Sequence, residues 1–433
     1  MLVSIISNYI VGRLIFRSQN RINSYANPKF YLFVGVLINI WLLLSFKYAN
    51  FITDNINEVL SIFGLPTIYL NPVHLPLGIS FFTFQAISYI FDIYRKDVKV
   101  QKNIYNLALY ISLFPQLIAG PIVRYNDVAK QITKRSHSLN LFASGLQRFI
   151  LGLSKKILIA NNLGEVADNI FALSLNDVTM PLAWIGILAY TLQIYFDFSG
   201  YSDMAIGLGR MFGFRFHENF NYPYISRTLR EFWKRWHISL SSWFKDYVYI
   251  PLGGNRVSTI RVYLNLTTIF FLTGIWHGAS WNFVVWGFFH GVFLTFEHAG
   301  FSRILERLWK PLQHLYLMLV IMVSWVFFRA DSLTEATCYL FAMVDISNWF
   351  TSKFQYAQVL TYEFYYVFVI GLIFMLPLFP WLRLKLISFS ENSLIRVLSL
   401  IFIPRFIILT LLLMLCLMSV ASSTYNPFIY FRF

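Results

Sequence analysis

Between residues 262 and 296 the chain carries no Asp, Glu, Lys or Arg. A helix crosses the hydrocarbon core of a bilayer with about 20 mostly apolar residues, so this run is long enough for two spans. It is one of a series. Residues 30–46, 75–91, 103–123, 178–196, 311–328, 364–382 and 406–430 are uncharged as well, and weaker apolar segments lie near 1–16, 141–163 and 332–345. Together they predict an all-α integral membrane protein of about ten to twelve spans. No Pro-, Gly- or Ser-rich linker divides it, so residues 1–433 read as a single membrane domain. A water-soluble chain needs a surface that remains largely polar. With 57% hydrophobic and 13% charged residues, this chain cannot build one.

The net charge of +15 would suggest nucleic acid in a soluble protein. Here the basic residues crowd the loops, as at Arg95 and Lys96, Lys130 to Arg135 and Arg303 to Lys310. That is the pattern of cytoplasmic loops beside anionic lipid, and no nucleic-acid motif accompanies it. The basic residue Arg13 follows the first apolar stretch rather than preceding it, which does not fit a cleavable signal peptide. Cys338 and Cys416 sit in apolar segments and read as lipid-facing or core residues. No His-x-x-x-His, Cys-x-x-Cys, phosphate-binding glycine loop or Gly-x-Ser-x-Gly elbow is present, so no metal or bound cofactor is expected.

Polar groups at membrane depth are costly and mark function by default. They concentrate between residues 184 and 298. Asp197 and Asp203, with Gly200 between them, suggest a helix end or break, the carboxylates capping helices or pairing with a base such as Arg210. Thr228 and Glu231 fit a capping box, and Pro251, Gly253 and Gly254 fit a helix stop. A helix over 228–250 would put Glu231, Lys234, Arg235, Lys245 and Asp246 on one arc. Phe232, Trp233, Trp236, Leu240, Trp243 and Tyr247 would fall on the other, with His237 among them near Trp233, Phe244 and Val248. Such a helix lies along an interface or lines a cavity. Gly254 and Asn255 read first as part of the turn, and could also present amides to an anion or carbonyl.

His277 stands inside the longest uncharged run. Gly274 and Gly278 flank it and allow close approach of a backbone or a substrate. Ser280 and Asn282 add polar groups, and Trp276 and Trp281 are expected to bracket the ring. A low-dielectric site disfavours an imidazolium, and a neutral imidazole can take a proton from a hydroxyl. Helix packing explains His277 and His237 as well as chemistry does, and His290 reads as a packing residue.

The run from Glu231 to Arg256 and the later Trp276-His277-Gly278 resemble the membrane-bound O-acyltransferase family. Supporting stretches are 75–85, 114–124, 195–203 and 426–433. Within that family the chain is similar to the bacterial branch that O-acetylates alginate. The resemblance implies a ring of helices around a central tunnel, with interfacial or re-entrant helices, in the bacterial inner membrane. It makes His277 the catalytic base and His237 the second active-site histidine, with Trp233, Trp236, Trp276, Ser280, Asn282, Asp197, Gly254 and Asn255 as substrate-binding or tunnel-lining candidates. It implies a cytoplasmic acyl donor, acetyl-CoA, a cell-envelope polysaccharide acceptor, and an extracytoplasmic SGNH-like or alginate-type acetyltransferase partner. It also implies a chain shorter at its N-terminus than many relatives. D-alanyl transfer to teichoic acid is the alternative chemistry. A transporter or flippase without catalysis is the alternative of another class, although no inverted repeat supports it.

Overall fold

Every regular element among the described residues is helical. The computed structural model describes residues 1–20, 27–118, 120–174, 177–348, 360–378, 380–382, 385 and 394–422. The motif at 426–433 and the end of the apolar run 406–430 lie outside them. In chain order the helices are α1 (Leu2–Gln19), α2 (Pro28–Leu43), α3 (Ala49–Ile62), α4 (Ile79–Arg95), α5 (Ile104–Ser112), α6 (Phe114–Leu117), α7 (Tyr125–Thr133), α8 (Leu139–Ser154), α9 (Asn161–Phe171) and α10 (Met180–Met211). They continue as α11 (Leu229–Arg235), α12 (Ile238–Phe244), α13 (Thr259–His277), α14 (Trp281–Phe296), α15 (Ser302–Arg307), α16 (Lys310–Arg329), α17 (Leu333–Ala342), α18 (Tyr362–Phe374) and α19 (Leu394–Ser422). π-Helical turns at Leu44–Tyr48, Lys155–Ala160 and Lys245–Tyr249 join or extend helices without ending them.

Four helices among the described residues are long and apolar enough to cross a membrane: Pro28–Ile62, Met180–Met211, Lys310–Arg329 and Pro404–Ser422. The other apolar segments form shorter or less hydropathic helices. The most apolar windows of Pro28–Ile62 and Pro404–Ser422 are 11% buried, whereas that of Met180–Met211 is 83% buried. The first two therefore offer their sides to lipid, and α10 is an interior pillar packed by α8, α9, α16 and α18.

The expected break at Asp197 is not there. α10 runs unbroken for 32 residues. Gly200 serves packing instead: a Cβ on it would come within 2.7 Å of the Gly152 carbonyl oxygen, and one on Gly207 within 2.6 Å of the Gly145 carbonyl oxygen. Small residues spaced in this way let α8 and α10 touch backbone to backbone, as membrane helices do. The carboxylates are tolerated inside the helix because cations meet them. Lys156 lies 2.5 Å from Asp197, and Asp203 is bound by Arg148 and Lys155 at 2.6 and 2.7 Å. Arg210 instead faces Glu218, at 3.8 Å.

α13 and α14 form a hairpin of the same kind. A Cβ on Gly274 would press into the Phe283 carbonyl oxygen and lie 3.1 Å from the Gly287 Cα, and one on Gly278 would enter the Phe283 ring. The glycines beside His277 thus admit the neighbouring helix. Because the obstacle to Gly274→Ala is backbone, we expect it to destabilise the protein by roughly 1–3 kcal/mol, read as a lower melting temperature in detergent. Gly291→Ala, whose nearest obstacle is the Thr267 Cα at 3.1 Å, should cost less.

Candidate active site

His237 does not lie in a continuous helix. α11 stops at Arg235, His237 takes a left-handed backbone (φ 45°, ψ 53°), and α12 starts at Ile238. For a residue with a Cβ that conformation costs on the order of 1–3 kcal/mol and persists only where its surroundings impose it. Asn219 imposes it. Its carbonyl oxygen accepts from the Ile238 amide at 3.0 Å. Its side-chain Oδ1 accepts from the Ser239 amide at 3.1 Å, the Ser239 hydroxyl at 2.8 Å and His237 Nδ1 at 3.2 Å. The two-arc pattern survives in each half: Phe232, Trp233, Trp236, Leu240, Trp243, Phe244 and Tyr247 are buried, while Lys234 and Lys245 are exposed.

An amide oxygen only accepts, so the Nδ1 that meets Asn219 carries the proton and Nε2 of the neutral ring is left with its lone pair. That Nε2 is enclosed and has no hydrogen-bond partner among the described residues. The ring packs edge-on to Phe198, with centroids 4.6 Å apart. α11 is held in turn from two sides. Thr228 accepts from the Glu231 amide at 3.1 Å, and both carboxylate oxygens of the buried Glu297 accept from the Leu229 and Arg230 amides. The expected box is half formed, since Glu231 receives the Arg227 amide rather than that of Thr228.

His277 is the last residue of α13, where Gly278 turns extended. Three rings meet the imidazole edge-on: Trp276 at 4.9 Å, Trp286 at 5.0 Å and Phe328 at 5.1 Å. His277 as a whole is buried, 8% accessible against 1% for His237. Trp281 does not bracket it. That indole is exposed and donates to Asn55 at 2.9 Å: as the first residue of α14 it falls on the helix face of the exposed Phe288 and Val292, opposite the buried Trp286 and His290. Trp276 is common to both histidines, with its centroid 6.2 Å from that of His237. It is fixed by a stack in which Phe84 lies between it and Trp243, at 5.2 and 3.9 Å.

The remaining candidates are scattered around this centre. Trp233 donates to His290 Nδ1 at 3.4 Å and packs on Trp286, and Trp236 packs among Phe220, Phe232 and Trp325. Ser280 precedes α14, and Asn282 donates to the Ala330 carbonyl at 2.6 Å. Asp197 is turned to Lys156. Gly254 takes a left-handed conformation in the turn after Tyr249, and Asn255 accepts from the Tyr249 hydroxyl at the surface. Among the described residues no group of three His, Cys, Asp or Glu is placed to hold a metal ion.

The family model of membrane-bound O-acyltransferases matches residues 79–334, which include both histidines, Asn219 and Trp276. The chain belongs to the membrane-bound O-acyltransferase family. This acyltransferase-family chain is 46% identical over 351 residues to the Azotobacter vinelandii protein named "Probable alginate O-acetylase AlgI", an alignment covering 81% of this chain and 69% of the relative. It is 38% identical over 378 residues to the peptidoglycan O-acetyltransferase of Helicobacter pylori, covering 80% and 69%. It is 30% identical over 269 residues to the teichoic acid D-alanyltransferase of Bacillus subtilis, covering 58% and 66%. The chain spans about two thirds of the length of these relatives, and 63% of the Pseudomonas aeruginosa alginate O-acetylase homologue.

Asn219, Phe198, Trp286 and Phe328 escaped the sequence reading of this candidate site. None shares a helix with either histidine, and only folding brings them there. The segment that carries Asn219 is clamped on both sides. The Arg215 amide donates to Gln131 at 2.8 Å, His217 meets Asp127 at 3.4 Å, and Glu218 meets Arg148 at 2.5 Å. The hydrogen bond to Asp127 raises the pKa of His217 above its ordinary value. Burial pushes the Asp127 carboxyl upward, but the His217 hydrogen bond and the Arg124 amide outweigh it and hold the group below its ordinary value. The histidine's contribution is complete below the unfolded pKa of about 6.5 and fades as pH rises through the raised folded value. The aspartate's contribution fades as pH falls below about 4. The clamp is therefore strongest between about pH 4 and 6.5. Because His217 is largely exposed, we expect it to contribute less than ~1 kcal/mol. His217→Gln should lower the melting temperature at pH 5.5 and leave it unchanged at pH 8.5.

Proposed function

We propose that the chain passes an acetyl group from cytoplasmic acetyl-CoA, through an extracytoplasmic partner, to an envelope polysaccharide, with His277 as general base for the first transfer. The observation that carries the reading is the pair of histidines sharing the Trp276 ring inside the matched family segment. The names of the relatives from Azotobacter and Helicobacter support acetyl as the group and polysaccharide as the acceptor. In this reading the helices form a ring around a tunnel in the bacterial inner membrane. An extracytoplasmic partner of SGNH-like or alginate-type acetyltransferase character carries the acetyl group onward.

The chemistry balances with the groups present. His277 accepts the proton of the attacking hydroxyl, the hydroxyl oxygen bonds to the thioester carbonyl carbon, and the carbon–sulfur bond breaks. The proton then leaves with the thiolate. In this reading His277 meets the hydroxyl. The enclosed His237, with Asn219 on Nδ1, is a fixed acceptor behind it. Trp276 forms the wall between them, backed by Phe84, and Trp233, Trp236, Ser280 and Asn282 are further tunnel-lining candidates in this reading.

Inside-out membrane vesicles containing the chain are the test, supplied with acetyl-CoA labelled in the acetyl group. Label should appear as alkali-labile ester on envelope polysaccharide. Vesicles that transfer labelled D-alanine instead would overturn the acetyl assignment. Vesicles that leave the thioester intact while moving a solute would overturn the enzymatic one.

A further inference from the structure

We infer that Lys47, on the π-helical turn between α2 and α3, is a positioning residue for His277. It holds the end of α13 that carries the imidazole. The inference rests on the role proposed above for His277.

A helix leaves its last four carbonyls without partners of its own, and at membrane depth water does not supply them. At the end of α13 all four are accounted for. The Gly274 carbonyl accepts from the Gly278 amide at 3.4 Å. The Ile275 carbonyl accepts from the Tyr48 hydroxyl. The Trp276 and His277 carbonyls both accept from the Lys47 ammonium, at 2.6 and 3.0 Å. The third ammonium donor goes to the Ser80 hydroxyl at 3.3 Å. One cation thus sits where the helix dipole is negative and spends two of its three donors on the two residues that build the site.

The π-turn is what delivers it. In α2 the buried residues are Leu32, Gly35, Asn39 and Leu42, the spacing of one helical face. Continued as an ordinary helix, that face would carry Lys47 and Tyr48 past the contact. The extra residue of the turn rotates both inward, and Tyr48 becomes buried. The Lys47 ammonium also lies 6.0 Å from the Trp276 ring centroid, the ring against which both histidines pack. Because His277 is the final helical residue, its backbone is fixed on one side by α13 and on the other by Lys47.

The test uses the full chain in inside-out vesicles. The rate of acetyl transfer from labelled acetyl-CoA is normalised to folded protein and measured over a range of donor concentrations. Misplacing a catalytic group by about an ångström lowers turnover as much as 100-fold. We expect Lys47→Met to lower kcat by about 10- to 100-fold with KM for acetyl-CoA nearly unchanged. Lys47→Arg, which keeps a cation able to donate to both carbonyls, should recover much of that loss, and Tyr48→Phe should lose several-fold. A Lys47→Met chain with the wild-type kcat per folded molecule overturns the inference, and so does a raised KM at unchanged kcat. If Lys47→Met does not accumulate, Tyr48→Phe decides, and a wild-type kcat in that variant overturns the inference. Failure of the wild-type vesicles to transfer label would overturn the proposed function itself. Active wild type with active Lys47→Met removes only the role of Lys47.

Discussion

Cells carrying His277→Ala are expected to retain no more than about 1% of the wild-type acetyl ester on their envelope polysaccharide. A positioned general base contributes about 10²- to 10⁴-fold to a proton-transfer step, or about 3 to 5 kcal/mol of barrier at 1.36 kcal/mol per tenfold. His277 is the histidine of the pair that three rings meet edge-on. Truncation also empties the space between Trp276, Trp286 and Phe328, so the amount of protein in the membrane must be measured beside the ester. His277→Gln, which fills most of that space without being a base, separates the two effects. Unchanged ester in either variant, at normal protein level, would remove His277 from the chemistry.

The second large effect concerns stability. Lys156 and Asp197 are buried against each other, with side chains 4% and 1% exposed and 2.5 Å between charged atoms. Lys156 also lies 5.9 Å from the centroid of the Tyr201 ring. Breaking a buried pair by removing one partner destabilises by about 3–5 kcal/mol, because the other charge is left uncompensated. Replacing both with apolar residues of similar volume is often neutral or stabilising. Asp197→Leu is therefore expected to unfold at a markedly lower temperature in detergent, and Lys156→Met with Asp197→Leu to recover most of the loss. If the double variant is no better than the single one, the two side chains are not coupled.

Apolar runs survive translation into structure because burial in lipid depends on composition along the chain, one residue after another. The long run at 262–296 became the α13–α14 hairpin, and the resemblance of 231–256 and Trp276-His277-Gly278 to the O-acyltransferases is matched by the family segment. What was not legible depends on partners distant in sequence. Asp197 and Asp203 resembled a helix end because their cations, Lys155 and Lys156, come from another helix. The helical wheel around His237 assumed one helix. The break is made by Asn219 through the backbone and side chain of the next two residues. The Trp281 expectation failed for the opposite reason: nearness in sequence to His277 was taken for nearness in space across a turn.

The turn at Leu44–Tyr48 makes this chain more sensitive to length than to composition. A π-turn is one residue more than its helix needs. Deleting any single residue there would leave an intact, ordinary helix with its hydrogen bonds remade and its hydropathy almost unchanged. Each residue of an α-helix turns the chain by about 100°, so everything before the deletion would swing by that angle about the axis of everything after it. An aligned relative lacking one residue at this place would keep every span yet lose the reach of Lys47 and Tyr48 to the end of α13. The position of a one-residue gap, invisible to a hydropathy profile, therefore distinguishes chains built on this arrangement from chains that only share its spans.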